Sequence, residues 1–158
     1  MLPRRKRPAH CVFPNPAGPA IVFLTVCAKD RRPWLASNDV HRTLKKAWAE
    51  AGAWRVGRYV IMPDHVHVFA GSADPTVELG RWVTFWKSRF TRAHGIAGHR
   101  WQNGYWDRRL RALEDYDSKW EYVRQNPVRH GIVNSADDWP FQGEMNILSW
   151  QTLGCEIL

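Results

Sequence analysis

Residues 59–69 read YVIMPDHVHVF, and they predict two strands joined by a tight connection. Pro63-Asp64 interrupts a run of β-branched and aromatic residues, and such a dipeptide favours a turn or a bulge. We therefore predict one strand over residues 54–61 and a second over residues 65–70. This pair of strands lies at the centre of the predicted fold.

The segments on either side supply two further strands and three helices. They are a strand over residues 21–27, a helix that begins at Ser37 or Asn38, a helix that begins near Pro75, a strand over residues 105–110 and a helix over residues 114–126. The order β-α-β-β-α-β, followed by one more helix, is that of a ferredoxin-like fold. We expect an α+β sandwich in which an antiparallel sheet carries its helices on one face, with the last helix as an addition.

His65 and His67 are two residues apart on a predicted strand, so their side chains share one face with Phe69. Two neighbouring imidazoles either have structural partners or bind one divalent ion through neutral rings. Hydrolases with alternating histidines need a third one where this chain has Phe69, and cupin sites need many more strands. The pair alone leaves the structural role and the metal site both open.

The last predicted helix carries one tyrosine away from its apolar face. The apolar stripe, which should face the core, is formed by Leu113, Tyr116, Trp120 and Val123. Tyr122 lies instead on a polar face, and Asn126 follows it by one turn. If this helix crosses near the histidines, Asn126 supplies an oxygen ligand and Tyr122 lies next to the ion. Gln125 is a competing ligand, and Pro127 disfavours helical geometry at Asn126.

A tyrosine beside a metal suits the transfer of a phosphodiester strand. The hydroxyl, with an ordinary pKa near 10, is a poor nucleophile at neutral pH. A metal bound to a phosphodiester neutralises its charge and positions it for in-line attack. The product is a covalent phosphotyrosine, which conserves the bond energy and allows the strand to be rejoined.

Charge and composition point to an anionic partner. The 158 residues fit one domain with a net charge of +8, and they include ten tryptophans. Nucleic acid is the usual partner of such a chain, although a basic protein without one has the same composition. The N-terminal cations Arg4, Arg5, Lys6 and Arg7 could contact phosphates or serve as a solubilising tail.

The three cysteines are far apart and form no CxxC pair, which argues against a zinc finger and a disulfide framework. This cysteine usage indicates a reducing compartment, and we expect a cytoplasmic protein. The sequence shows no signal peptide and no run of 18 apolar residues, so no membrane association is expected.

Three stretches, YVIMPDHVHVF, WQNGYWDRRLR and YVRQNPVRHGIV, occur in this order within a resemblance that runs from about residue 21 to residue 139. Together they resemble the REP-associated tyrosine transposases, a branch of the single-tyrosine HUH transposases, in which HUH denotes His65-Val66-His67 here. The tyrosine ahead of Asn126-Pro127-Val128 matches the family's nucleophile. Where many relatives have asparagine before the first histidine, this chain has Asp64.

The resemblance implies a ferredoxin-like core, a divalent metal (Mg²⁺ or Mn²⁺) and a single-stranded DNA substrate with a hairpin, such as a REP-like palindrome. It implies that Tyr122 attacks the DNA to give a 5′-phosphotyrosine and a free 3′-hydroxyl, with His65, His67 and Asn126 as metal ligands. A monomer is expected, with a dimer as the alternative, and the site of action would be the bacterial nucleoid. The rival functions are an HUH nicking or replication-initiation endonuclease and a non-catalytic hairpin-binding protein.

Further DNA contacts are predicted around the fourth strand. Alternation puts Arg109 and Arg111 on one face and Arg108 on the other. Those near the histidine face would contact phosphates, and we take Arg109 and Arg111 as the candidate DNA contacts. Trp101 and Trp106 lie in or near a polar loop, where they could stack on bases. A solvated charge is the alternative for each arginine.

The predicted organisation has three parts. Residues 1–19 form a basic N-terminal arm, residues 20–139 form the catalytic domain, and residues 140–158 are an extension without an assigned role.

Overall fold

The computed structural model describes residues 21–111 and 113–149. The main elements are β1 (Ile21–Cys27), α1 (Asn38–Glu50), β2 (Trp54–Ile61), β3 (His65–Ser72), α2 (Leu79–His94), β4 (Trp106–Leu110), α3 (Leu113–Arg124), α4 (Asn126–Arg129) and β5 (Gln142–Glu144). Short 3₁₀ turns occupy Lys29–Arg31 and Ala136–Asp138. No helix within the described part of the chain is both long and apolar enough to span a lipid bilayer.

The strands form one sheet in the order β4-β1-β3-β2-β5, and every neighbouring pair is antiparallel. The first four strands have the order and direction of a ferredoxin-like sheet, which confirms the predicted fold. β5 was not predicted. It pairs with β2 at the edge of the sheet and belongs to the segment for which no role was assigned.

One face of the sheet packs against α1 and α2. Val66, Val68 and Ala70 of β3 lie in this core, together with buried tryptophans from both helices and from β2. The helix α1 begins as predicted, because the Ser37 hydroxyl accepts a hydrogen bond from the Val40 amide at 3.2 Å.

The helix α2 begins at Leu79 rather than near Pro75, so this predicted boundary is wrong. Asp74 is the reason, since its carboxylate accepts hydrogen bonds from both the amide and the hydroxyl of Thr76. This local turn competes with helix formation and delays the start of α2.

The opposite face of the sheet packs against α3. Tyr116 of α3 contacts Phe69 of β3 with a ring separation of 4.8 Å, and Val123 packs near β2. Tyr116 and Val123 of the predicted apolar stripe are buried, and Trp120 is partly buried beside them. The side chain of Leu113, the first residue of α3, is not among the side chains that the structure describes. The helix α3 therefore lies on the same side of the sheet as the side chains of His65 and His67.

Gly57 of β2 lies at the closest approach of this second layer. A Cβ atom there would be 2.6 Å from the Tyr116 hydroxyl and 2.6 Å from Cδ1 of Leu148, which is itself buried. The Tyr116 hydroxyl also accepts a hydrogen bond from the Arg58 amide at 3.0 Å. The strand β2 therefore needs glycine at this position.

Gly57→Ala is expected to lower the free energy of unfolding by about 1–3 kcal/mol, because the methyl group overpacks the second layer. Urea denaturation measures this change. Gly52→Ala is the matched control, since no atom lies within 4 Å of its added Cβ. Equal stability of the two variants would contradict the predicted clash.

Candidate active site

His65 and His67 project from β3 on the face that α3 covers, as predicted. Their Nε2 atoms converge to 3.1 Å, and the two rings meet edge to face with centroids 4.6 Å apart. His65 is only 7% exposed. Val66 and Val68 lie on the opposite face, so the alternation of side chains along the strand places the two histidines side by side.

Each histidine is held through its other ring nitrogen. The Nδ1 of His65 lies 2.7 Å from Oδ1 of Asp64, and the Nδ1 of His67 lies 2.9 Å from the Thr25 hydroxyl. If both Nδ1 atoms carry the hydrogen, both Nε2 atoms direct lone pairs into the space between the rings. A divalent cation satisfies two such lone pairs, so this donor set fits a metal ion.

The protonation preferences of the pair are consistent with this donor set. Burial lowers the pKa of His67 to about 3, and His65, Lys119 and Arg129 act in the same direction. Burial also lowers the pKa of His65, although Asp64 offsets part of this effect. Both rings are therefore neutral at physiological pH, as metal ligands must be.

Asp64 remains a carboxylate. Burial opposes its ionisation, but the hydrogen bonds and charges of His65 and Arg31 outweigh burial and lower the pKa of the Asp64 carboxyl. Within the described residues, no group of three or more histidine, cysteine, aspartate or glutamate side chains is placed to hold a metal. The two histidines would thus need a carboxamide, solvent or substrate oxygens to complete a coordination shell, and Mg²⁺ commonly keeps several waters.

Tyr122 is connected to the histidines by a short series of contacts. The Phe23 ring stacks on His67 with centroids 5.2 Å apart, and the Lys119 ammonium lies 4.9 Å from the Phe23 centroid. Lys119 is also 5.5 Å from the centroid of Tyr122. One turn of α3 therefore places the tyrosine on the histidine side of the sheet.

The Tyr122 side chain is 62% exposed and lies close to two cations. The Arg129 guanidinium is 4.0 Å from its ring centroid, and Lys119 is on the same ring. An exposed aromatic ring gives up the stabilisation that burial of its apolar surface would provide. Tyr116 of the same helix is buried and keeps that stabilisation. The arrangement presents a phenol to solvent next to positive charge.

Asn126 does not continue the helix of Tyr122. α3 ends at Arg124, and Asn126 begins the separate short helix α4, with Pro127 in its first turn. The predicted helix over residues 114–126 is therefore too long at its end. Asn126 is 9% exposed, whereas Tyr122 is largely exposed.

The Asn126 carboxamide is fixed by α4 itself. Its Oδ1 accepts a hydrogen bond from Arg129 Nη2 at 2.6 Å, while Arg129 Nη1 donates to the carbonyl of Tyr122 at 2.7 Å. Arg129 thus ties Asn126 to Tyr122 across the helix break. Gln125, the competing ligand, is half-buried at the break. The assignment of either residue as a metal ligand stays a prediction.

The pairing register corrects the face assigned to the arginines of β4. Arg108 pairs with Phe23, so Arg108 lies on the histidine face, whereas Arg109 pairs with Val22 on the face covered by α1 and α2. Arg108 was missed because the sequence does not reveal which of the two alternating sets faces the histidines. Trp106, opposite Thr25, is half-buried on the histidine face.

A groove of about 630 Å³ runs between β4 and α3. Its lining includes the predicted contacts Arg109 and Arg111 as well as Arg108, Lys119 and Tyr122. The lining also includes the carboxylate of Asp115, so the groove has four cations, one anion and the phenol. This excess of positive charge suits a polyanionic strand.

Trp101 is not available for base stacking, so that prediction is wrong. The side chain is 9% exposed, and its ring meets Trp86, Phe90 and Trp34 edge to face at centroid distances of 5.3–5.5 Å. Its backbone bridges Ala28, which draws the loop onto the core. The predicted contacts Arg4, Arg5, Lys6 and Arg7 lie outside the described residues.

Known proteins resemble this chain in sequence and in fold. No family model matches the chain. The REP-associated tyrosine transposase of Escherichia coli (strain K12) is 30% identical over 123 residues, which cover 75% of this chain and 73% of the relative. A relative from Haemophilus influenzae (strain ATCC 51907 / DSM 11121 / KW20 / Rd), ascribed to the same family, is 24% identical over 140 residues, with 77% of each chain covered.

Among solved structures, a REP-associated tyrosine transposase bound to a REP hairpin superposes on this chain with a TM-score of 0.71. The two chains are 24% identical, and the match covers 87% of this chain and 81% of the other. This likeness shows a shared fold.

Proposed function

This chain belongs to the REP-associated tyrosine transposases, and we propose that it cleaves and rejoins single-stranded DNA beside a hairpin through a covalent bond to Tyr122. The observation that carries the proposal is the placement of the exposed Tyr122 ring on the histidine side of the sheet, next to Lys119 and Arg129. The E. coli relative supplies the reaction class, and the solved relative's hairpin suggests the form of the DNA.

In the proposed reaction, the Tyr122 hydroxyl oxygen attacks the scissile phosphorus. The bond from phosphorus to the 3′ oxygen breaks, the phenol proton passes to solvent, and the departing oxygen takes up a proton to become a 3′-hydroxyl. Arg129 and Lys119 place positive charge where the phenolate and the phosphate develop negative charge. Attack by a 3′-hydroxyl on the 5′-phosphotyrosine reverses these steps and rejoins the strand.

His65 and His67 would hold Mg²⁺ or Mn²⁺ through their Nε2 atoms, with Asn126 or Gln125 as the proposed protein oxygen ligand. When bound, the divalent ion neutralises charge on the phosphate oxygens. Asp64 and Thr25 orient the two imidazoles, and burial keeps both rings neutral. The histidines and the tyrosine lie on the same side of one chain's sheet, which supports a monomer as the active unit. Binding to chromosomal palindromes would place it on the nucleoid.

The groove between β4 and α3 is the proposed path of the single strand. Arg108 is on the histidine face and Arg111 lies at the end of β4, and both line the groove with Tyr122. Trp106, at the start of the same strand, is the proposed stacking partner for a base.

Arg108→Gln with Arg111→Gln is expected to weaken hairpin binding and to reduce the slope of log K against log salt by about 0.7 per lost contact on a single strand. Fluorescence anisotropy between 50 and 200 mM salt would measure both quantities. Arg42→Gln on α1, where Arg42 pairs with Asp39, is the control. An unchanged slope would remove these arginines from the DNA path.

The function is tested with a 5′-labelled and a 3′-labelled hairpin oligonucleotide, incubated with the protein and Mn²⁺ or Mg²⁺ and separated on a denaturing gel. The proposal predicts a protein–DNA adduct with the 3′-labelled strand and a free 3′-hydroxyl on the other fragment. It also predicts that the nicked strand is rejoined. Cleavage that needs no hairpin would favour a nicking endonuclease, and binding without cleavage would favour a non-catalytic hairpin-binding protein.

A further inference from the structure

The loop after β1 adopts an unfavourable backbone conformation that turns Arg31 toward Asp64. Asp30 and Arg31 have φ angles of 58° and 56°, and this left-handed conformation costs about 1–2 kcal/mol for each non-glycine residue. Such strain persists where surrounding contacts over-determine the backbone, and it occurs often at functional sites.

The contacts of Arg31 identify what holds the loop. Its Nε donates to Oδ2 of Asp64 at 2.8 Å, and its Nη1 donates to Sγ of Cys27 at 3.1 Å. Cys27 is directly opposite His65 in the pairing of β1 with β3. The amide of Ala28 also donates to the Asp64 carbonyl at 2.9 Å. The guanidinium is thus fixed against the strand end that carries the first histidine.

Asp64 divides its two carboxylate oxygens between Arg31 and His65. Oδ2 accepts from Arg31, and Oδ1 lies 2.7 Å from Nδ1 of His65. An ion-paired carboxylate has no hydrogen to donate, so Nδ1 of His65 must carry the hydrogen. The Nε2 atom of the neutral ring then keeps its lone pair, directed at His67.

We propose that Arg31 is a positioning residue, which holds Asp64 so that His65 presents an unprotonated Nε2 to the divalent ion. The inference rests on the proposed metal site. Arg31 precedes the histidines by more than thirty positions, and its side chain donates to Asp64 and Cys27 rather than to either histidine.

An asparagine at position 64 separates the roles of Arg31 and Asp64. Its side chain has one acceptor oxygen and one donor group, and Arg31 can only donate. In Asp64→Asn, the amide oxygen therefore turns to Arg31, and the NH₂ group faces Nδ1 of His65. The hydrogen then moves to Nε2, and the lone pair is lost. Adding Arg31→Met frees the amide to turn its oxygen back to His65.

The test uses the full chain with ¹⁵N-labelled histidine and no metal, because ring ¹⁵N shifts report the tautomer of His65. Mn²⁺ titration followed by electron paramagnetic resonance then gives the affinity. Asp64→Asn is expected to reverse the His65 tautomer and to weaken Mn²⁺ binding about 10–100-fold, the range for loss of a partner that orients a ligand. The double variant Arg31→Met with Asp64→Asn should restore the tautomer and most of the affinity.

Arg42→Met is the matched control, because Arg42 also pairs with an aspartate but lies within α1. It should change neither the tautomer nor the affinity. The positioning role is overturned if Asp64→Asn keeps the wild-type tautomer, or if the double variant is no better than Asp64→Asn. A wild-type protein that binds no Mn²⁺, with a tautomer that still reverses and recovers, would contradict the metal site and support the positioning role.

Discussion

Tyr122→Phe is expected to abolish the covalent protein–DNA adduct while leaving the fold and hairpin binding almost unchanged. The substitution removes only the nucleophilic oxygen. The ring is 62% exposed, and its contacts with Lys119 and Arg129 are to the ring centre, which phenylalanine keeps. The adduct band on a denaturing gel should therefore disappear, with a loss of strand cleavage of at least about 10³-fold, as is usual when a nucleophile is removed.

Tyr116→Phe is the matched control for this experiment, since it makes the same change on the same helix. Tyr116 is buried, and its hydroxyl accepts a hydrogen bond from the Arg58 amide. Its loss should cost about 1 kcal/mol of stability, or somewhat more because the amide is left without its partner. The adduct should still form. An adduct that survives Tyr122→Phe would assign the nucleophile to another residue.

The parts of the site that were predictable depend on local periodicity. Alternation along β3 predicted that His65 and His67 share one face, and helical spacing predicted that Tyr122 lies off the apolar stripe. Both patterns need only a few neighbouring residues. The pairing of the sheet confirms the first, and the exposure of Tyr122 beside the buried Tyr116 confirms the second.

The remaining parts depend on contacts between distant segments. The pairing of β4 with β1 sets the register and puts Arg108, rather than Arg109, on the histidine face. The short run WDRRL does not contain this information. Trp101 belongs to the core because its loop bridges Ala28, although the loop sequence is polar and glycine-rich. Local composition predicted solvent exposure there, and tertiary packing overrode it.

The link from Arg129 to Tyr122 was hidden by the helix break. Pro127 indicated that regular geometry would end near Asn126, but the sequence did not show that a second short helix follows at once. In that geometry Arg129 reaches the Tyr122 ring and carbonyl from seven positions further along the chain.

His65→Ala with His67→Ala is expected to lower metal-dependent cleavage by more than about 100-fold. Loss of a residue that only orients a metal ligand already costs up to about 100-fold, and this variant loses the ligands themselves. The variant loses both convergent Nε2 atoms, which are 3.1 Å apart in the wild-type protein. Cleavage at saturating hairpin concentration and Mn²⁺ affinity are measured together. Both should fall, whereas hairpin binding should persist, because the cations of the groove are unchanged.

The control for the histidines is a second pair, His94 and His99, whose ring nitrogens lie 2.8 Å apart and whose rings stack on Trp34. Replacing both with alanine should cost stability but leave Mn²⁺-dependent cleavage intact. Cleavage that persists without His65 and His67 would contradict the metal site.

The pH dependence of metal binding gives an independent check on the same pair. Protonation of an imidazole competes with metal binding, so a pair with ordinary pKa values near 6.5 loses affinity as the pH falls from 7 to 5.5. Burial lowers the pKa of His65 and brings that of His67 to about 3. His67 therefore stays neutral across this interval, and His65 is protonated less than an ordinary histidine. Mn²⁺ affinity is expected to fall by less than about tenfold, where two ordinary histidines would lose on the order of 50-fold. A steep loss between pH 7 and 5.5 would mean that the ion is held by histidines in contact with water, and hence not by the buried pair on β3.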